Sequence, residues 1–485
     1  MIELSFQQQE NIGFRYVLDS LSPCSPYGAE RVRALRPYAP AEREELRRQL
    51  LNLDRVVRGQ SGCAAPLGKF QRVLMTMKDV RRIAERCREE ALGEIELFEL
   101  KRFLIQCAEL LPLWNEIQAV LRLDCAPLRD TAAALDILDP EHNRVASFYV
   151  SESYSARLRA LRKQKRELEE RIRRAAGEEK EELQRRRLLV AADEEHEEGR
   201  VRAALSESLR PSLPAMLANM DLLGELDLTL EKAAMTARWG GCLPELTEDE
   251  AELVGMRNPV IADALGKRGK SFTPVSISLG RGATVLTGAN MGGKSVAMKT
   301  TVLNLLLCQC GFFPVAERVR APLFDGIYLI SEDLESVDRG LSSFGGEIVR
   351  FNQVVEKLRG GFSLLLLDEF ARGTNPDEGA AIVQAVTEYL DRQNAVTLLA
   401  THYDGVAEHG SAHYQVIGLR DLDLAQVRAE LAAAGPEDGV ELIARHMNYG
   451  IYRVEGPQNC PRDALNICRL LGLDGEILAR IERAY

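Results

Sequence analysis

The chain has 485 residues, a net charge of −11, 46% hydrophobic and 28% charged residues, a composition that excludes a disordered or collagen-like polypeptide. Its length suits about two to four domains, each large enough to bury a core. The acidic balance excludes a protein that coats nucleic acid through bulk positive charge, so any such contact needs a local basic face.

Ten cysteines are scattered from 24 to 468 with no CxxC pair and no flanking His pattern. They read as buried free thiols of a reducing cytoplasm, neither a zinc site nor a disulfide framework. The first residues lack a basic and an apolar segment of the secretory kind, and the longest apolar stretch, 302–315, is broken by Asn304, Gln309 and Gly311. Secretion and membrane spanning are therefore not expected.

Apolar residues at helical spacing predict helices over 41–58, 70–90 and 97–123. Pro23, Pro26 and Gly28 interrupt the first helical pattern, and Pro127, Pro140 and Asn143 mark a later break. Over 151–212 the composition shifts to Arg, Glu, Lys and Gln around a sparse apolar stripe, Leu158, Leu161, Leu168 and Ile172. This is the pattern of an exposed helical arm or antiparallel helix pair, with Gly177 and the acids after it at the turn. The charge reads either as a solvated face or as a partner surface. Arg157, Arg159, Arg162, Lys163, Lys165 and Arg166 offer a phosphate-binding face near the base, whereas the tip is acidic.

From 272 onward short aliphatic runs at 275–279, 284–287, 327–330, 364–367 and 396–400 alternate with helical patterns. That alternation predicts an α/β domain with a mostly parallel sheet. A helix over 422–433, a strand over 449–454 and two short helices complete the chain.

Gly-Ala-Asn-Met-Gly-Gly-Lys-Ser at 288–295 fits GxxxxGK[ST] between a predicted strand and a predicted helix. Backbone N–H groups and a helix N-terminus then face one anionic spot, with Lys294 for the β and γ phosphates and Ser295 for Mg²⁺. Four leucines lead into Asp368 and Glu369. Two acids at the end of a core strand suit a cation held by Asp368 and a water oriented or deprotonated by Glu369. His402, at the end of the next strand, is placed to reach the γ-phosphate side, although a lone His also serves as a structural hydrogen-bonder. Segments 340–347 and 371–379, rich in glycine and hydroxyl residues, suit a second anion contact, including one across a subunit boundary.

Thr-Gly-Ala-Asn-Met-Gly-Gly-Lys-Ser (287–295), Leu-Leu-Asp-Glu-Phe-Ala-Arg-Gly-Thr (366–374) and Ala-Thr-His-Tyr (400–403) resemble the ATPase motifs of the MutS family, a branch of the ABC-type ATPases. Asn290 and Met291 resemble a family peculiarity of the phosphate loop. The resemblance implies that Ser342 completes the neighbouring subunit's ATP site and that Phe272 stacks on adenine. It thus makes Gly288, Asn290, Met291, Gly292, Gly293, Lys294, Ser295, Val296, Phe272 and, in trans, Ser342 the nucleotide-binding set. Ser295 and Asp368 are the Mg²⁺ ligands, and Glu369 and His402 the catalytic pair. Departures are Asn258 for a family His, Ala289 for Pro, and Val296-Ala297 for a Thr-aromatic pair.

The implied fold is an α/β P-loop (ABC-type) ATPase domain with a mostly parallel sheet, preceded by an all-α core with a helical arm. Its divisions would be 1–150, the first part of the core; 151–215, the charged arm; 216–250, a returning lever helix; 251–430, the ATPase domain; and 431–485, a helical dimerisation segment. The resemblance is to a short form without the N-terminal mismatch-recognition domain or a C-terminal nuclease. It implies a cytoplasmic, Mg²⁺-dependent ATP hydrolase that forms a homodimer and clamps a partner. Two partners stay open: DNA of branched or otherwise structured form, or a protein client, as for an ATPase that reactivates a cobalamin-dependent aminomutase.

Overall fold

The structure, a computed structural model, describes residues 4–288, 293–331, 343–420, 427, 430, 447–456 and 463–484. It forms two compact units, one of Met1–Leu21, Leu35–Asp54 and Lys232–Tyr485, the other of Ser22–Ala34 and Arg55–Glu231. The predicted helix over 422–433 lies, apart from two residues, outside the described residues.

The chain begins with helices α1 (Phe6–Ile12), α2 (Phe14–Asp19), α3 (Pro26–Arg33) and α4 (Arg43–Gly59). Then follow α5 (Ala64–Met75), α6 (Arg81–Arg86), α7 (Glu94–Leu121) and α8 (Ala132–Leu138). The helical pattern expected over 70–90 is thus divided. Met77 and Val80 lie in the break yet are buried, and Tyr27 Oη donates to the Lys78 carbonyl there at 3.1 Å. Core-facing residues of the break kept the helical spacing of apolar positions without the helix.

Helices α9 (Ala156–Arg174) and α10 (Gly177–Leu209) run antiparallel along the stripe foreseen in the sequence. Leu168 packs with Leu183 and Val190, flanked by Leu161 and Ile172. The turn is the pair Ala175 and Ala176, with Gly177 already the first helical residue. The cations near the base face acids of the opposite helix. Arg162 reaches Glu194 at 3.0 Å and Glu198 at 2.7 Å, and Lys165 reaches Glu194 at 2.5 Å. Much of the positive charge considered for phosphate is therefore neutralised within the arm. Helix α11 (Leu213–Trp239) follows, and its buried Asp227 accepts from the backbone of Cys24 and Ser25 and from the Ser25 hydroxyl, which itself caps α3.

The rest is sheet and helix in alternation: β1 (Glu245–Leu246), β2 (Ala251–Met256), α12 (Pro259–Gly266), β3 (Val275–Leu279), β4 (Gly282–Thr287), α13 (Lys294–Gln309), β5 (Arg318–Ala321) and β6 (Gly326–Ile330). After them come α14 (Ser343–Leu358), β7 (Ser363–Asp368), α15 (Pro376–Asp391), β8 (Ala395–Thr401), β9 (Ala412–Gly418), β10 (Asn448–Arg453), α16 (Asp463–Leu470) and α17 (Gly475–Ala484). Six strands form one sheet in the order β10-β9-β4-β8-β7-β6, and four form a smaller one, β1-β5-β2-β3. In the large sheet β9, β4, β8, β7 and β6 are parallel and β10 alone is antiparallel to its neighbour. Strands β4, β6 and β8 are buried along their whole length, as parallel strands covered on both faces must be.

Register decides where the chemistry meets. Thr287 of β4 stands opposite Thr401 of β8, and Asp368 of β7 opposite Ala400 of the same strand. The carboxyl ends of three adjacent strands are thereby level, at the side of an open parallel sheet where ligands bind. The small sheet, β2 and β5 above all, was not foreseen, because its strands are short and only partly apolar.

Candidate nucleotide site

Strand β4 ends at Thr287 and α13 starts at Lys294, so a short loop carries the chain from the sheet to a helix N-terminus. Of that loop, Asn290, Met291 and Gly292 lie outside the described residues, as does Ser342 before α14. Gly293 caps α13 with φ +92°, and a Cβ on it would come within 3.0 Å of Tyr449 Cδ1 on β10. Only glycine meets both conditions, positive φ and a close neighbour.

Lys294 is 3% exposed. Its Nζ donates to the Gly288 carbonyl at 2.7 Å and lies 3.4 Å from Glu369 Oε1. One residue on, Ser295 Oγ donates to Asp368 Oδ1 at 3.1 Å. Burial pushes the Asp368 carboxyl above its ordinary range and Glu369 adds to this, while the Ser295 hydroxyl, Lys299 and Lys294 act against it. Arg372 reaches Glu369 Oε2 at 2.8 Å. His402 follows β8, half-buried, with its ring 4.5 Å from that of Tyr403. Its Nδ1 is buried without a hydrogen-bond partner among the described residues. Burial lowers the His402 pKa; Lys294 and Arg372 lower it further against the opposing charge of Glu369.

Lys294, Ser295, Asp368, Glu369 and His402, separated by up to about a hundred residues, thus share one end of the sheet. Val296 is half-buried in the first turn of α13. Phe272 is half-buried in the segment between α12 and β3. At the end of β4, Thr287 shares a hydrogen bond of 2.8 Å with His413 and accepts from Gln415. Asn258, where the resemblance has His, is 1% exposed and donates to the Ile12 carbonyl, so it ties α1 to the ATPase side of the same unit.

The donor set suits Mg-nucleotide. A buried ammonium at a helix N-terminus attracts phosphate, and a hydroxyl beside a carboxylate offers the hard oxygens that Mg²⁺ prefers. The raised carboxyl and the unpartnered imidazole nitrogen are polar groups that a charged ligand would satisfy.

Residues 284–458 match MutS domain V. Proteins named Endonuclease MutS2 are similar to this chain: that of Streptococcus equi subsp. equi is 31% identical over 217 residues, which are 44% of this chain and 27% of the relative. That of Solidesulfovibrio magneticus is 30% identical over 288 residues, 59% of this chain and 34% of the relative. These matches support a member of the MutS family. The chain's matches span only about a quarter to a third of the length of these relatives. MutS domain V is a P-loop ATPase domain, and the matched stretch runs from within β4 to just beyond β10.

Sequence reasoning assigned no individual role to Glu347 or Tyr403, although both lie in segments it singled out, nor to Tyr449. Glu347 carried a readable signal, since an acid stands four residues before Phe351 on the apolar stripe of α14. Tyr449 carried none, because only sheet pairing brings β10 beside the loop.

Proposed function

We propose that this chain is a Mg²⁺-dependent ATP hydrolase of the cytoplasm that acts as a homodimer and clamps structured, non-mismatch DNA. The observation that carries the ATPase reading is the convergence of Lys294, Ser295, Asp368 and Glu369 at the level ends of β4 and β7. Lys294 would hold the β and γ phosphates, Ser295 and Asp368 the cation, and Glu369 the attacking water. Bound Mg²⁺ would supply charge neutralisation on the phosphate oxygens. A neutral His402 suits hydrogen bonding on the γ-phosphate side. Phe272 for adenine, Gly288 and the loop through Val296 for the phosphates, and Ser342 of a second copy complete the proposed set.

DNA as partner is supported by the relatives' name, which is that of an endonuclease. No helix among the described residues is long and apolar enough to cross a membrane. Two measurements test the reading. Lys294→Ala is expected to abolish ATP binding, and Glu369→Gln to retain ATP with turnover reduced about 100-fold or more; unaltered turnover in either refutes the site. Branched DNA is expected to stimulate the native ATPase. Stimulation by none of several DNA structures would overturn the DNA assignment and point to a protein client.

A further inference from the structure

The backbone on either side of Phe370 is bent by two non-glycine residues in the left-handed region, Glu369 at φ +51° and Ala371 at φ +62°. L-residues adopt that conformation rarely and keep it only where their surroundings over-determine it. Three elements converge on Ala371. From α14, Glu347 Oε2 accepts the Ala371 N–H at 3.1 Å. From the segment after β8, the Tyr403 hydroxyl donates to the Ala371 carbonyl at 3.2 Å. On α15, Gly379 leaves space for that hydroxyl, since a Cβ there would stand 2.4 Å from Tyr403 Oη and 3.0 Å from the Ala371 oxygen. Phe370, between the bent residues, is 1% exposed, and its ring centre is 5.3 Å from that of Phe351 on α14.

We infer that Glu347 and Tyr403 are positioning residues for Glu369: they hold the two successive peptide groups that flank the Ala371 Cα, one through its N–H and the other through its carbonyl, and so fix the direction in which the acid leaves the turn. The inference rests on the ATPase reading above, in which Glu369 orients water. Glu347 is 8% exposed. Burying an acid on an apolar helix face is costly, and the hydrogen bond to a strained backbone offsets that cost only if the turn must be held. Glu347 also lies about one turn into α14, so displacement of that helix end reaches the turn after Glu369 through the hydrogen bond to Ala371 and through the Phe351–Phe370 contact.

The test measures turnover and nucleotide affinity separately in the full chain. Glu347→Ala is expected to lower kcat about 10- to 100-fold, the scale of a misplaced catalytic group, with nucleotide Kd changed by less than about twofold. Glu347→Gln, whose amide oxygen accepts the same N–H, is expected to stay within about threefold of native. Tyr403→Phe keeps the ring and removes only the tether, and its kcat is expected to fall about 3- to 10-fold. It serves as the test should Glu347→Ala fail to fold. Unchanged kcat in folded Glu347→Ala or in Tyr403→Phe, equal losses in the Ala and Gln variants, or a Kd that weakens in step with kcat would each overturn the inference. A native chain that binds ATP without turnover would overturn the ATPase reading itself. Native turnover with unaffected variants would overturn this inference alone.

Discussion

Asp368 illustrates how a site residue works against the fold that holds it. Its carboxyl is raised above the usual range, chiefly by burial. An acid whose pKa rises on folding costs no stability below its unfolded value; the cost grows as pH climbs toward the folded value and is complete above it. Asp368→Asn is therefore expected to raise the thermal unfolding midpoint of the nucleotide-free protein near neutral pH, with the difference vanishing in acid. The same variant should lose the stabilisation that Mg-ATP confers on the native chain, as melting curves with and without nucleotide would record. A midpoint lowered near neutral pH would contradict the burial argument. Lys294, Ser295, Asp368, Glu369 and His402 were all legible as residues, because their motifs specify type and spacing. Their contacts were not, because 73 positions separate the hydroxyl of Ser295 from the Asp368 oxygen it meets. Glu347 and Tyr403 act on a backbone conformation, and no residue pattern announces the φ of Ala371.

At the scale of elements, the buried strands β4, β7 and β8 were readable as aliphatic runs, and α9 and α10 as a charged pair with one apolar stripe. The division between α5 and α6 was not, since buried residues of a non-helical break can keep helical spacing. The arm carries its own prediction. Glu194 is 8% exposed and accepts from both Arg162 and Lys165. Glu194→Ala strips Lys165 of its acid on α10 and leaves Arg162 with Glu198 alone, and is expected to cost about 1–3 kcal/mol of local stability after allowance for solvent screening. Faster limited proteolysis within 156–209 and an earlier denaturant transition would report it. An unchanged arm would mean that the apolar stripe alone holds the pair.

For the whole molecule, the net charge of −11 sets the terms of any DNA contact. Arg162 and Lys165 are already engaged by Glu194, so the cations that meet phosphate must come from exposed positions such as Arg173, or from Arg157 and Lys163 at the expense of their looser pairs with Glu197 and Glu167 at 3.9 and 4.0 Å. Binding through such residues releases counterions, and affinity for branched DNA is expected to fall at least about tenfold between ~50 and ~200 mM salt. A salt-independent affinity would argue against phosphate contacts. The sequence by itself picked out the residues of the candidate nucleotide site, since a strand, glycine loop and helix, with an acid pair at the end of a later strand, are local patterns read at the level of neighbours along the chain. It also determined that the sheet would be mostly parallel, because covered strands must be apolar throughout. Only the tertiary structure decided which strand ends stand level and that α14, α15 and the residue after His402 close on the backbone of one residue, Ala371, beside Glu369. Strand order, register and backbone strain arise from contacts between distant segments, and no local pattern of side chains encodes them.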